Sequence, residues 1–324
     1  MTTLPSVPDV ADDGITLIET GYIRPGLCAA YLVRGERGRA ALVDCGTATC
    51  ATRVLEAVDA AGVARDAIDW LLVTHVHLDH AGAAGPLMRA LPNARLVVHP
   101  RGAQHMIDPT RLIAGARAVY GEAMFDRDHA GMLPVDAARV VVAEDGHVVP
   151  LAGRPLRCVD TPGHALHHYS VWDAATASWF AGDAFGLSYR EFDNGNGAFA
   201  VPTTSPVQFD PQQMKDSIRR LLAAQPRAIR IAHYGRVHEC DRLGASLCAQ
   251  VDAMAAIARA ADGHPDRHAR IVQGLSSLYV EGASAHGIED AASRVADVLG
   301  GDIEINAQGL GVWLDREARA RAQA

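Results

Sequence analysis

The chain has 324 residues, 49% of them hydrophobic and 21% charged, which excludes wholesale disorder and fits one large domain or a domain with an appendage. Its formal net charge of −8 opposes binding to a phosphate backbone, where affinity comes from releasing counterions. No stretch approaches the roughly 20 apolar residues of a membrane span, Met1 to Gly14 lacks the basic start and apolar run of a signal peptide, and none of the six cysteines forms a Cys-x-x-Cys pair. The expectation is a protein of the reducing cytoplasm, with a small-molecule substrate and neither membrane nor nucleic acid as partner.

In chain order, Ile15–Ile18 reads as a short strand, and Ala29–Val33 with Ala40–Val43 as a hairpin around the polar turn Arg34 to Gly38. Apolar residues at helical spacing predict a helix over Ala51–Ala61. Asp69–Thr74 is a short apolar run, predicted as a buried strand that ends where a group of histidines begins. A helix is expected over Gly82–Leu91, stopped by Pro92, then a strand over Arg95–His99. Residues 101–135 read as mostly helical with a break at Asp108-Pro109, followed by strands at Arg139–Val142, Val148–Leu151 and Leu156–Val159. Tyr169–Trp172 and Ser178–Phe180 predict a second hairpin that closes at Gly182-Asp183. Residues 184–208 carry little periodicity, and a loop of that length in a compact domain is usually functional or disordered. Met214–Ala224 is an amphipathic helix, and Ala228–Ala232 a strand ending at His233. From Asp241 the pattern turns helical, over Leu243–Ala261, Arg267–Glu281 and Ile288–Leu299, so residues 1–240 are expected to form the main domain and 241–324 a helical extension.

His75, His77, Asp79 and His80 lie within six residues, after a buried strand and before a helix. His75 and His77 are two apart, so at an extended strand end they point the same way. Asp79 and His80 follow where the chain turns into the helix and can face a neighbouring point. Imidazole nitrogens and carboxylate oxygens so arranged suit two metals side by side. Polar residues of an ordinary surface loop would also give such a run. Three further ligand-type residues at strand ends favour metal: His164 in Thr-Pro-Gly-His, Asp183 in Phe-Ala-Gly-Asp-Ala, and His233 in Ile-Ala-His-Tyr-Gly.

Thr74-His75-Val76-His77-Leu78-Asp79-His80-Ala81-Gly82, Thr161-Pro162-Gly163-His164, Gly182-Asp183 and Ala232-His233-Tyr234-Gly235 resemble, in order and spacing, the motifs of the metallo-β-lactamase superfamily. Val43-Asp44-Cys45-Gly46 resembles its early Asp-Thr-Gly motif, with Cys45 where Thr is commoner. The resemblance covers roughly residues 15–240. It implies an α/β fold of the αββα sandwich type, metals at one edge of two sheets, with residues 1–240 as the catalytic domain. By position it implies His75, His77 and His164 as ligands of one metal. Asp79, His80 and His233 match ligands of a second, and Asp183 bridges. Asp44 would stand behind the ligands and orient one of them; a turn or cap aspartate is its plainer reading.

Departures from the motifs narrow the branch. Lactamases of this fold often carry Cys at the position of Asp183, which disfavours antibiotic hydrolysis here. Flavodiiron-type members carry Glu at the position of His77, which favours a zinc hydrolase, with iron or manganese as alternative metals. The extra inserted domain of the superfamily's nucleases is absent. The fit is closest to the glyoxalase-II-like hydrolases. The resemblance implies two divalent metals sharing a water whose pKa falls from about 15.7 toward roughly 7. The resulting hydroxide would attack a small thioester, ester or lactone, with Asp79 passing a proton to the leaving group. A diiron oxygen- or redox-responsive binding protein and a metal-dependent nuclease or phosphodiesterase are the competing readings.

Substrate contacts are less marked. Tyr189 and Arg190 on the long loop, Tyr234 beside His233, and His168 are candidates, against loop packing or a hairpin role for each. His167 likewise reads as a hairpin or helix-start residue. His99 and His105 read as structural, and His129, His147, His238, His264, His268 and His286 as surface or packing residues. The C-terminal helices offer Arg242, Arg259, Arg267 and Arg270 but no glutathione-binding motif, and could equally serve self-association as a homodimer.

Overall fold

The computed structural model describes residues 10–11, 13–204 and 206–323. The chain divides into two compact units. The first holds the stretch up to Asp160, His167–Gly182 and Arg227–Arg236. The second holds Thr161–Leu166, Asp183–Pro226 and the stretch from Val237 onward.

The first unit is built on two mixed sheets. One runs in sequence order, β1 (Val10–Ala11), β2 (Ile15–Glu19), β3 (Ala29–Arg34), β4 (Ala40–Val43), β5 (Ile68–Leu72), β6 (Arg95–Val98) and β7 (Val140–Val142). Pairing is antiparallel through β4 and parallel from β4 to β7. The other has the order β13 (Gly235–Val237), β12 (Ala228–Ile231), β11 (Ser178–Gly182), β10 (Tyr169–Asp173), β9 (Arg154–Asp160), β8 (Val148–Leu151). Here β11 and β12 pair in parallel, whereas β8 to β11 are antiparallel. The parallel strand β4 is apolar and buried along its length, as a strand covered on both faces must be.

Tyr31, Val43, Leu72 and Val97 of the first sheet share a core with Leu156, Val171 and Phe180 of the second. The other face of the first sheet is covered by α1 (Ala51–Ala60), α3 (Ala84–Ala90) and α4 (Pro100–Ile107), through Val54, Val58, Leu87 and Met106. α3 falls within the expected Gly82–Leu91, and an unexpected one-turn helix α2 (Leu78–Ala81) precedes it. Gly82 separates the two, and a Cβ there would stand 2.4 Å from the Leu78 carbonyl oxygen. α5 (Thr110–Tyr120) and α6 (Glu122–Asp128) complete the excursion between β6 and β7. These elements make the expected α/β sandwich.

The second unit contains α7 (Pro211–Leu222), α8 (Cys240–Ala261), α9 (Arg267–Ala285) and α10 (Ala291–Gln323). α8 packs on α7, α9 and α10, and α9 on α10. α10 is far longer than the expected Ile288–Leu299. It passes through Gly300-Gly301 because Ile303, Ala307, Leu310 and Leu314 recur at helical spacing and are buried, outweighing about 1 kcal/mol per glycine. Among the described residues, no helix is long and apolar enough to cross a membrane.

Candidate metal centre

The ligand-type residues stand at the carboxyl ends of parallel strands, where α/β sheets present side chains to ligands. Asp44 follows β4, the histidine run follows β5, Asp183 follows β11, and His233 follows β12.

Asp44 organises the first unit's share. It is buried, and its Oδ1 accepts the Thr74 backbone N–H at 2.7 Å. The Thr74 hydroxyl reaches both carboxylate oxygens, at 3.0 and 2.9 Å. Its one hydrogen is thereby spent on Asp44, so it accepts from His75 Nδ1 at 3.2 Å. Asp44 Oδ2 also lies 3.2 Å from His80 Nδ1, and His233 Nδ1 donates to the Leu27 carbonyl at 2.7 Å. A carboxylate and a carbonyl can only accept, so each of these rings carries its proton on Nδ1 and leaves Nε2 as a base.

Those bases converge. His80 Nε2 and His233 Nε2 are 3.3 Å apart, and Asp79 Oδ2 is 3.6 and 3.3 Å from them. The three residues together could hold a metal ion. Two lone pairs and a carboxylate this close repel unless a cation or a proton lies among them. Burial opposes the charge on Asp79, but positive charge on His80 and His233, which take up a proton where no metal lies among them, outweighs it and holds the carboxyl well below its ordinary range. His75 Nε2 faces His77 Nδ1 at 2.9 Å, and the His75 and His80 rings are 4.0 Å apart.

In the second unit, His164 Nδ1 lies 3.3 Å from the Thr203 carbonyl, which again directs the proton to Nδ1. Its Nε2 is 3.4 Å from Asp183 Oδ2, and both residues are buried. The Pro162-Gly163-His164 turn is fitted onto α7. The Ser217 hydroxyl donates to the Pro162 carbonyl at 2.5 Å, and the Asp210 N–H to the Gly163 carbonyl at 2.8 Å. Gly163 has φ 128, and a Cβ there would lie 2.3 Å from the Met214 backbone. Only glycine fits.

His168 is fully buried, its ring 4.9 Å from that of His75, and it lies under Gly182, where a Cβ would be 2.7 Å from its Nε2. His167 belongs to the same group: it lies parallel to His75 and accepts from the Val76 N–H at 3.5 Å. Their spacing after His164 gave no sign of this. Tyr189 is buried and donates to Asp302 at 3.3 Å, whereas Arg190 is paired with Asp193 at 2.9 Å. Tyr234 is half-buried against the inter-sheet core. The thiol of Cys45 donates to the His80 carbonyl at 3.1 Å.

The chain matches the model of the metallo-beta-lactamase superfamily over residues 23–235, and it belongs to that superfamily. It is similar to the metallo-beta-lactamase fold-containing protein ST1585 of Sulfurisphaera tokodaii, 28% identical over 176 residues, which are 53% of this chain and 62% of the other. It is also similar to a hydroxyacylglutathione hydrolase of Acidiphilium cryptum, 30% identical over 216 residues, 65% of this chain and 66% of the other. The matched stretch spans less than two thirds of either curated relative. The solved structure of ST1585 gives a TM-score of 0.65 at 22% identity, covering 92% of this chain and 98% of that one. The metallo-beta-lactamase family protein TTHA1429 from Thermus thermophilus gives 0.62 at 21%, covering 89% and 94%. At these identities the structural likeness is one of fold.

Proposed function

We propose that this chain is a metal-dependent hydrolase of a small thioester, ester or lactone. In this reading His75, His77 and His164 hold one divalent cation, zinc foremost. Asp79, His80 and His233 hold a second, and Asp183 is shared between them. One observation carries the reading: His80, His164 and His233 each set Nδ1 against an acceptor and so turn Nε2, as a base, toward a carboxylate, while His75, held at Nδ1 by Thr74, turns its Nε2 toward His77. Superfamily membership supports it, as does the likeness to a relative that by its name hydrolyses a hydroxyacylglutathione.

Divalent cations bound there would supply Lewis acidity, making hydroxide accessible at neutral pH and polarising a carbonyl. The chain's own residues do the rest. Asp44 fixes His80 directly and His75 through Thr74. Asp79, held as a carboxylate, can take a proton and return it to a leaving group. Residues 1–240 act as the catalytic domain and 241–324 as its helical extension. No disulfide joins the six cysteines, which supports a reducing compartment such as the cytoplasm.

Elemental analysis of the purified protein, followed by assay with a thioester, an ester, a lactone and a phosphodiester, tests the proposal. Two zincs per chain and turnover confined to the carbonyl compounds are expected. A protein that takes up no divalent metal, or loads zinc and cleaves none of the three carbonyl compounds, overturns it. Two irons and visible absorption would transfer the chain to the diiron reading.

A further inference from the structure

One buried polar group of the first unit stands outside the proposed donor set. His129, just after α6, is 1% exposed. Its Nε2 lies 3.2 Å from the Tyr22 hydroxyl, and its Nδ1 has no partner. Its ring stacks on Tyr120, with centroids 4.5 Å apart. Tyr22 stands between β2 and β3, packed with Cys28 and Cys50, and the Cys28 thiol donates to the Asp79 carbonyl at 3.3 Å. The pair is thus tied to the Asp79 side of the centre.

The charge of Asp79 reaches both rings. Burial foremost, and Asp79 next, push the Tyr22 phenol far above its usual range. Burial pushes the His129 imidazole down, with Asp79 a partial offset. His129 is therefore neutral at neutral pH and has a single ring proton. On Nδ1 that proton would make a buried N–H with no acceptor, fixed in direction by the ring; on Nε2 it leaves the phenol's hydrogen as the unpaired one, and a hydroxyl hydrogen can rotate toward a ligand where a ring N–H cannot. In the second arrangement the proton sits on Nε2, which donates to the Tyr22 oxygen. The phenol's own hydrogen is left over, and no other side chain among the described residues bonds that oxygen. Beside it, Ile23 is 62% exposed at φ 56, a left-handed backbone that a β-branched residue adopts only under constraint.

We propose that Tyr22 is a substrate-contacting residue: its hydroxyl, held by His129, donates a hydrogen bond to an oxygen of an acyl substrate beside Asp79, and Ile23 meets the acyl chain. This rests on the hydrolase reading above. His129 acts through Tyr22 and is a positioning residue.

Two measurements on the full chain decide it. Nitrogen-edited NMR of the His129 ring, which needs neither metal nor turnover, should find the proton on Nε2; a proton on Nδ1 overturns the proposal. Calorimetric titration of the zinc-loaded protein with hexanoate, the product of a hexanoyl ester, should give about fivefold weaker binding in Tyr22→Phe. Zinc content and unfolding midpoint should stay unchanged in that variant. His129→Leu should weaken binding as much, and His129→Gln, whose amide can donate, should restore it. Equal affinity in wild type and Tyr22→Phe, or no hexanoate binding by the wild type, also overturns it. A protein that loads no zinc ends the hydrolase reading, and this proposal with it, before hexanoate is added.

Discussion

The two units hold their ligand-type side chains by different means. In the first, each imidazole at a strand end is fixed by a second polar group: Asp44 bonds Thr74 and His80, Thr74 receives His75, and the Leu27 carbonyl receives His233. In the second, His164 rides a turn fixed largely by fit, with Gly163 pressed on the Met214 backbone and the neighbouring carbonyls tied to Ser217 and Asp210. Charge-assisted hydrogen bonds orient a ring without holding up much of the fold. A close backbone contact does the reverse. Damage to the supports of the first unit's ligands should therefore appear as lost metal, and damage to the support of His164 in the second as lost stability.

The largest expected effect falls on a proposed ligand itself, in the second unit, and sets the scale against which damage to the supports is read. Asp183→Asn removes a charge from the donor set while keeping its shape. Metal content should drop below half and turnover by roughly a thousandfold, whereas full activity would refute the scheme. Asp44→Asn comes next. It weakens the acceptor for Thr74 and His80, so zinc affinity should fall about 10- to 100-fold, with the unfolding midpoint nearly unchanged. A large fall in midpoint instead would make Asp44 a fold residue. Gly163→Ala should cost about 2–4 kcal/mol in denaturant unfolding, since a methyl must displace helix backbone. Asn306→Ala should cost about 2 kcal/mol with zinc content intact. It removes the side-chain bonds to the Thr204 N–H, the Pro202 carbonyl and the Tyr279 hydroxyl inside the helical unit. Loss of zinc in Asn306→Ala would erase the distinction between the units.

The same contrast accounts for what could be read from the sequence. Strand-end ligands advertise themselves, because a buried apolar run such as Asp69–Thr74 seldom stops at three histidines unless they bind something. Both hairpins were legible from alternation and polar turns. His167 and His168 were not, because their membership of the imidazole group depends on β10 pairing back toward the end of β5, through Tyr169 N–H and the Thr74 carbonyl at 2.9 Å. That contact spans 95 residues (169 − 74), and no local pattern encodes it. The length of α10 was hidden by Gly300-Gly301, since helix propensity is local and the packing that overrides it is not. His129 read as a surface or packing residue; its bond to Tyr22, 107 positions earlier, is not a local pattern.

The smallest effect concerns pH. Burial lowers the pKa of His129, and also of His99, where Asp160 at 3.5 Å offers a partial offset. A depressed imidazole means that the unfolded chain, titrating near 6.5, takes up its proton first as pH falls. Stability is then full above that value and declines below it, because the unfolded state binds more protons there. Urea unfolding of metal-free protein should show the midpoint dropping from pH 7 to pH 5, and His129→Gln should flatten part of that slope. An unchanged slope in His129→Gln would assign the whole effect to other histidines. Zinc separates the candidates further: His129 is not among the proposed ligands, so its share should be the same in loaded protein, while the donor imidazoles, which must shed their protons to bind, should add a steeper slope that appears only on loading.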